Sequence, residues 1–423
     1  MTDDDSANAR LSRRNLLSGG VTAAVGALVL PLSFDMQTGV TADELPQAAE
    51  PLSDAEIVEL LKEEGEPDFA ARATISSFWF QQPSSERPSP HWPSDDVSFD
   101  YRPLAGFAAA GTEFELSGET LKVLADRNAF DLGESPIILF GLRGCTVSSG
   151  KDYSSASSKH RVVTTRPDHL NMKCLIGVWN RSDDTLSLCR GSTVPNVDLM
   201  DAYIRGAVGC NMLPTGVHRY KVGPHRGNRQ PGAFRQQQPL WVLRSPKSLS
   251  YAANDRSAIW DDLNGSLPFD NIHAAILNYR AKPPFFSSAG CQVIAGRYKN
   301  GVPIGAWANF RQDAGLVHPP VITRGSRGAT SDDGRTFTYF LLTGDEASLI
   351  TSRPDLEFRA LRYGSSGPAV EALQEKLQMA PDNIDGNFLR ATLGNYLSWQ
   401  KDKGDAVTGI VTKSEAERLG FSL

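Results

Sequence analysis

One cysteine and one histidine of this chain stand in sequence contexts that suit nucleophilic chemistry. Cys291 follows Ser288-Ala289-Gly290 at the start of an apolar segment, where little side-chain bulk covers the sulfur and backbone N–H groups surround it. Such a position can stabilise both a thiolate and an oxyanion. His273 follows Asn271-Ile272 in a second strand-like segment, with residues 274–287 between it and Ser288. The pair predicts acyl transfer by a cysteine nucleophile with a histidine base.

Strand-like segments dominate the middle third of the chain and would position both residues. Residues 174–179 are apolar, 180–184 are rich in turn formers and 185–189 alternate, which predicts a β-hairpin. Further strand-like segments are 216–222, 240–243, 292–295 and 336–342, and residues 131–143 lead into them. With Gly- and Pro-rich connections between them, these segments predict a curled sheet or barrel-like β domain.

The region around the two residues resembles the catalytic signature of the L,D-transpeptidase family, in which a His precedes a Ser/Thr-His-Gly-Cys element. Two further segments agree with this resemblance. Leu213-Pro214-Thr215-Gly216 is similar to the family's threonine-proline-x-glycine segment before a strand. Gly191-Ser192-Thr193 is similar to the serine-threonine element that follows the first hairpin. The resemblance covers residues 131–345.

The resemblance implies a division of roles among the site residues. Cys291 would attack the carbonyl of a donor stem peptide, His273 would accept and return the proton, and backbone amides near Gly290 would hold the oxyanion. The implied catalytic residues are Cys291, His273, Gly290 and Ser288. The implied substrate-binding residues are Thr215, Gly216, Asn271 and Gln292. No metal ion, nucleotide or flavin cofactor is expected.

Two positions depart from the family pattern. Ala289 stands where the family commonly has a second His, and Val293 stands where it commonly has Asn or Arg. These changes affect substrate recognition more than the nucleophile. The domain could therefore cross-link stem peptides, hydrolyse them, or serve as a catalytically inactive scaffold in a peptidoglycan-binding protein.

Residues 358–423 have the apolar spacing of three short helices. Pro368 suits the first turn of a helix in which Val370 and Leu373 share a face. The segments L-R-Y-G-S-S-G-P-A-V-E-A-L-Q (361–374), I-D-G-N-F (384–388), S-W-Q (398–400) and T-G-I-V-T (408–412) resemble a peptidoglycan-binding module of the three-helix type. The resemblance implies anchoring to the cell wall, and a helical accessory or dimerisation domain is the alternative.

The first 42 residues resemble a bacterial Tat signal, because Arg13-Arg14 precedes a short Gly- and Ala-rich apolar stretch at 19–32. Residues 43–130 are expected to be an arm or linker of unknown role. The predicted organisation is therefore a signal peptide (1–42), an arm (43–130), a catalytic domain (131–345), a linker (346–357) and a peptidoglycan-binding domain (358–423).

Composition limits the partners that the chain can have. The 423 residues include 43 Lys and Arg against 49 Asp and Glu, a net charge of −6, which excludes a basic nucleic-acid-binding protein. After residue 35 there is no apolar run long enough to span a bilayer, so we expect no stable membrane insertion after signal cleavage.

The sequence thus predicts a multidomain, mainly β protein with a small all-α C-terminal domain. Its expected partner is peptidoglycan, outside the cytoplasm.

The remaining cysteines and histidines have simpler interpretations. Cys174 and Cys189 flank the predicted turn and could form a cross-strand disulfide or remain core thiols, and Cys145 and Cys210 could pair or stay free. His218 and His225 lack a carboxylate or cysteine at ligand spacing, so no metal site is predicted there. The Ser-rich run 148–160 is expected to be a mobile loop or a lid.

Overall fold

The computed structural model describes residues 110–197, 199–200, 210–225, 230–244, 260–275, 285–323, 328–356 and 358–423. All of them belong to one compact unit. The predicted signal peptide and the predicted arm as far as residue 109 lie outside the described residues. Within the described part of the chain, no helix is long and apolar enough to cross a membrane.

The described elements are mostly strands. They are β1 (Glu113–Ser117), β2 (Ile137–Arg143), β3 (Cys145–Val147), β4 (Tyr153–Ser157), β5 (Lys159–Thr164), β6 (Cys174–Asn180), β7 (Thr185–Ser192), β8 (Gly216–His225), β9 (Gln230–Gln236), β10 (Val242–Leu243), β11 (Trp260–Asp261), β12 (Ile272–Ala275), β13 (Gln292–Ala295), β14 (Arg297–Lys299), β15 (Val302–Ile304), β16 (Thr336–Thr343), β17 (Ala360–Leu361) and β18 (Val411–Thr412). The α-helices are α1 (Gly118–Arg127), α2 (Ala306–Asp313), α3 (Gly344–Ser352), α4 (Pro368–Lys376), α5 (Arg390–Asp402) and α6 (Lys413–Leu419).

Eight strands close into a barrel in the order β13-β12-β9-β8-β16-β2-β6-β7, and β7 pairs back onto β13. The pairs β12–β13 and β16–β2 are parallel, and the other neighbours are antiparallel. Closure removes the exposed sheet edges that an open sheet would present. The prediction of a mainly β protein with a barrel-like sheet is confirmed.

The predicted hairpin is formed by β6 and β7, and their register decides how the cysteines lie. Ile176 is opposite Cys189, and Cys174 is opposite Gly191, so the two thiols are offset along the ladder. All five cysteines are buried, and none of them is in a disulfide. Of the two alternatives for Cys174 and Cys189, core thiols are therefore the one that the structure adopts.

The Ser-rich segment 148–160 is ordered into strands, so the expectation of a mobile loop was wrong. β4 pairs with β7 at the end of the large sheet, and β5 pairs with both β1 and β3. His160 is buried, and its Nε2 lies 2.7 Å from the carbonyl oxygen of Leu186. The sequence pattern hid β4 because its small, polar residues lack the apolar alternation of a half-buried strand.

The folded body also extends beyond two of the predicted boundaries. β1 and α1 precede residue 131, and the hydroxyl of Ser117 caps α1 by accepting the backbone N–H of Thr120. At the other end, residues 346–352 of the predicted linker belong to α3, and Glu346 is fully buried. Both segments pack with the barrel.

Helices α4, α5 and α6 follow the barrel, and the hydroxyl of Thr412 starts α6 through a capping box with Glu415. Two glutamines make the same contacts in successive loops. The Oε1 of Gln374 accepts the backbone N–H groups of Asp385 and Gly386, and the Oε1 of Gln400 accepts those of Thr408 and Gly409. The two loops are therefore held in the same way.

The C-terminal helices share one hydrophobic core with the barrel. Buried side chains from both parts belong to a single cluster, among them Phe234, Ile272, Leu373 and Tyr396. Polar contacts cross the same boundary: Trp241 Nε1 donates to the Arg390 carbonyl at 3.2 Å, and Trp260 Nε1 donates to the Val407 carbonyl at 2.9 Å. The helices are thus packed against the barrel through both apolar and polar contacts.

Candidate active site

The parallel pair β12–β13 brings the predicted nucleophile and base to the same part of the barrel. Ile272 is in register with Gln292 and His273 with Val293, and the N–H of Gln292 donates to the Asn271 carbonyl at 2.8 Å. Side chains alternate along a strand, and residues in register on neighbouring strands share a face. Cys291, two positions before Val293, therefore lies on the face of the sheet that carries His273.

Three side chains converge at this point. One imidazole nitrogen of His225, one of His273 and the Sγ of Cys291 all lie within 4.8 Å of one another. The rings of His225 and His273 stack, with 4.5 Å between their centroids and 17° between their planes. The structure thus brings together the two predicted residues and adds a histidine from the end of β8.

The tautomer of His273 follows from its hydrogen bond. Its Nδ1 lies 2.8 Å from the backbone carbonyl oxygen of Ala274. Because a carbonyl oxygen can only accept, Nδ1 carries the proton and Nε2 keeps its lone pair. His273 is therefore held by the backbone in the form that can accept the proton of a thiol. Sequence reasoning had no signal for this orienting group, since every residue carries a carbonyl.

A tight turn carries Cys291 to the site. Ser288 Oγ accepts the Gly290 N–H at 3.1 Å and donates to the Cys291 carbonyl at 2.7 Å. The Gly290 N–H, which was predicted to lie near the oxyanion, thus already donates to the Ser288 hydroxyl. The Sγ of Cys291 donates to the Phe269 carbonyl at 3.5 Å. In this state the cysteine is a protonated thiol that is 7% exposed.

Glycine is required at position 290. Its φ is 142°, and a Cβ there would lie 2.3 Å from Asp270 Oδ1 and 2.8 Å from the Asn211 carbonyl. Both the backbone conformation and the surrounding atoms exclude a side chain. The turn before Cys291 therefore depends on Gly290 for its shape.

Of the predicted substrate-binding residues, Asn271 and Gln292 lie at the site, where their side chains form hydrogen bonds with neighbouring protein groups. Asn271 Oδ1 accepts the Gln236 N–H at 3.0 Å, and its Nδ2 lies 3.1 Å from His225 Nδ1. Gln292 Nε2 donates to the Gly290 carbonyl at 3.0 Å, and its Oε1 accepts from the Tyr339 hydroxyl at 3.2 Å. Both amides support neighbouring groups in the structure.

The contacts of Thr215 and Gly216 are with the C-terminal segment. Thr215 Oγ1 accepts from Arg362 Nη1 at 2.9 Å, and a Cβ on Gly216 would lie 2.1 Å from the Tyr363 carbonyl. Thr215 also lines a small cavity with Trp260, Tyr363 and other residues of both parts of the chain. These two residues join the barrel to the C-terminal helices.

Burial favours the uncharged forms of two ionisable neighbours of the site, Asp270 and His225. Burial raises the pKa of Asp270 to about 8, although Asn211 and Arg244 act in the opposite direction. Burial, together with Arg235, lowers the pKa of His225 to about 4. The site therefore combines a neutral carboxyl group and a neutral second imidazole with the Cys291–His273 pair.

The converging nitrogen and sulfur atoms are also of the kind that bind Zn²⁺. A metal-binding histidine usually donates its other ring N–H to a carbonyl or carboxylate. His273 satisfies this condition through Ala274, but the Nδ1 of His225 accepts a hydrogen bond from Asn271. The hydrogen bonding around His225 thus fits a neutral donor better than a metal ligand.

His218, by contrast, has a structural position. It is fully buried, its Nε2 lies 3.0 Å from the Pro214 carbonyl, and its ring stacks on Tyr363 at 5.3 Å. Of the two histidines in β8, only His225 was found at the cysteine. The sequence offered no signal to separate them, because pairing between strands decides which one reaches the site.

Comparison of the chain with protein-family models, with curated proteins and with solved structures gives no match.

Proposed function

We propose that this chain is an exported cell-wall enzyme that transfers acyl groups on peptidoglycan stem peptides through Cys291, as the L,D-transpeptidases do. The observation that carries the proposal is the geometry of Cys291 and His273. A thiol lies beside an imidazole whose Nδ1–H is held by the Ala274 carbonyl, which leaves Nε2 as the acceptor. That arrangement suits thiol activation.

The proposed reaction has two steps. Cys291 Sγ attacks the donor carbonyl while its proton passes to His273 Nε2, and collapse of the tetrahedral intermediate breaks the peptide bond. His273 returns the proton to the leaving amine, which leaves a thioester on Cys291. An acceptor amine then attacks the thioester, its proton passes through His273, and the thiol is regenerated as a cross-link forms. With water as the acceptor, the same two steps give hydrolysis.

The second candidate is a catalytically inactive peptidoglycan-binding protein with a transpeptidase-like scaffold. The observation that favours it is burial, because Cys291 is 7% exposed and His273 is fully covered. The two candidates differ in thiol reactivity. A catalytic Cys291 reacts with an alkylating reagent at neutral pH much faster than the other four cysteines, whereas a scaffold gives slow, equal labelling of all five.

Wall binding is proposed for the C-terminal segment 358–423. The three helices α4, α5 and α6 and the matching loop contacts of Gln374 and Gln400 support a module of the three-helix peptidoglycan-binding type. The shared core with the barrel means that this segment would hold the catalytic cysteine close to the wall that it binds.

Export through the folded-protein route is proposed from the Arg13-Arg14 pair. Substitution of both residues by lysine tests it: we expect the precursor to accumulate in the cytoplasm. Normal export of that variant would contradict the Tat assignment.

The decisive experiment is digestion of purified peptidoglycan after incubation with the protein, followed by mass analysis of the muropeptides. Wild type should produce new cross-linked dimers or shortened stem peptides, and Cys291→Ala should produce neither. The balance between dimers and shortened stems distinguishes transfer from hydrolysis. Identical muropeptide profiles for the two proteins would refute the enzymatic proposal.

A further inference from the structure

The hydrogen bonds around His225 determine which of its nitrogens carries the proton. The Gln236 N–H can only donate, so the Asn271 atom that it meets at 3.0 Å is the amide oxygen. The other end of the same amide is then the NH₂ group, which donates to His225 Nδ1 at 3.1 Å. A neutral imidazole that accepts at Nδ1 carries its proton on Nε2. His225 is therefore fixed as the opposite tautomer to His273.

The Nε2 of His225 is buried and has no hydrogen-bond partner among the described residues. A buried donor without an acceptor is costly, about 1–3 kcal/mol. His225 nevertheless stacks against the proposed base and has a ring nitrogen within 4.8 Å of Cys291 Sγ. An acceptor that forms only during the reaction, such as a thiolate, would satisfy this donor.

We infer that His225 is a second functional histidine, whose Nε2–H donates a hydrogen bond to the Cys291 thiolate once His273 has taken the proton. The inference rests on the proposed function and adds a residue to its site. The two stacked rings then have complementary roles: His273 offers a lone pair, and His225 offers an N–H. His225, at the end of β8, would thereby give Cys291 a polar neighbour. Position 289 of the cysteine motif, which is Ala in this chain, cannot supply one.

The charge of His225 suits this role. When His273 takes the thiol proton it becomes a cation, and a second cation stacked on it would be repelled. His225 stays neutral because burial and Arg235 lower its pKa to about 4. Among the described residues, Asp270 and Tyr220 are also ionisable and lie near the site, and burial raises the pKa of both. The donated hydrogen bond is therefore the direct means by which His225 can favour the thiolate.

Alkylation of Cys291 with iodoacetamide between pH 5 and 10, followed by intact-mass and peptide analysis in the presence of a chelator, tests the inference. His225→Phe retains the stacked ring and removes the donor, so we expect the rate at pH 7 to fall about tenfold and the pH profile to move to higher pH. His225→Gln and His225→Met have similar shapes, and only the Gln variant has an N–H to donate. We expect Gln to recover most of the wild-type rate and Met to react as slowly as Phe.

His218→Phe is the matched control, because it replaces a buried, stacked histidine of the same strand that does not lie at Cys291. Its profile should match the wild type.

The two proposals fail in different ways. If wild-type Cys291 reacts no faster than the other cysteines, the enzymatic function fails. If wild-type Cys291 is fast and the Phe and Met variants are equally fast, only the role of His225 is overturned. Should His225→Phe fail to fold, the Gln–Met comparison decides.

Discussion

Arg362 and Glu346 form an ion pair in which Nη2 and Oε1 lie 2.6 Å apart, and their side chains are 1% and 0% exposed. Arg362 precedes α4, and Glu346 lies in α3 beside the barrel. The same guanidinium also donates to the hydroxyl of Thr215. This buried pair ties the C-terminal helices to the segment that enters β8.

Arg362→Leu should therefore destabilise the whole folded unit. The substitution leaves the Glu346 carboxylate buried without its partner, which typically costs about 3–5 kcal/mol. Urea unfolding followed by tryptophan fluorescence measures the effect. The double variant Arg362→Leu/Glu346→Leu removes both charges and should recover part of the loss. A single variant as stable as the wild type would show that the pair does not contribute to folding.

Wall binding is best tested without removing the C-terminal segment, because its deletion would also remove Arg362 and part of the core that the segment shares with the barrel. Leu389 is 37% exposed and directly follows the I-D-G-N-F element. We expect Leu389→Asp to reduce co-sedimentation with purified wall sacs severalfold. Val321→Asp, at a valine that is 57% exposed, is the matched control and should sediment as the wild type does. Equal sedimentation of all three proteins would argue against a ligand contact at Leu389.

Asp270→Asn should make stability less dependent on pH. The neutral form of Asp270 is favoured in the folded protein, so its stabilising contribution is complete below the unfolded-state pKa of about 3.9. That contribution is lost as the pH rises through its folded-state pKa of about 8. The Asn variant should match the wild type near pH 4 and exceed its free energy of unfolding by at least about 1 kcal/mol at pH 9. Denaturant titrations at pH 4, 6.5 and 9 measure the difference, and parallel curves for the two proteins would contradict it.

The sequence predicted the barrel strands whose apolar character was clear, and it missed a strand that has little apolar character. β13 was predicted with the bounds that it has, and β16 to within one residue. β4 was missed because Ser-rich strands carry no apolar pattern. In the site, the His273–Cys291 pair was accessible from spacing. The Ala274 carbonyl and the approach of His225 depend on three-dimensional packing and have no sequence signal.

Gly290→Ala should disturb the candidate site without changing the side chain of Cys291 or His273. The new Cβ would lie 2.3 Å from Asp270 Oδ1, and the φ of 142° is strained for any L side chain. We expect a loss of about 2 kcal/mol in stability and slower alkylation of Cys291, because the turn that carries the sulfur must move. Gly301→Ala, at a glycine of positive φ with open space around it, is the control for strain alone. Alkylation equally slowed in both variants would show that close packing at Gly290 does not set the position of the sulfur.

Cys291 and His273 are proposed to act as one catalytic unit. A free thiol has a pKa of about 8.5 and is only a few per cent thiolate at neutral pH, so the nucleophile depends on its base. When two residues act in the same step, removing either one costs nearly as much as removing both. We expect Cys291→Ala, His273→Ala and the double variant to lose acyl-enzyme formation to the same degree. Because L,D-transpeptidases are acylated by carbapenems, intact-mass spectrometry after incubation with a carbapenem measures this directly. Cys174→Ala, at a buried thiol that is not one of the three converging side chains, is the control and should form the adduct as the wild type does. An adduct on another cysteine, or one that forms undiminished in His273→Ala, would refute the assignment of the pair.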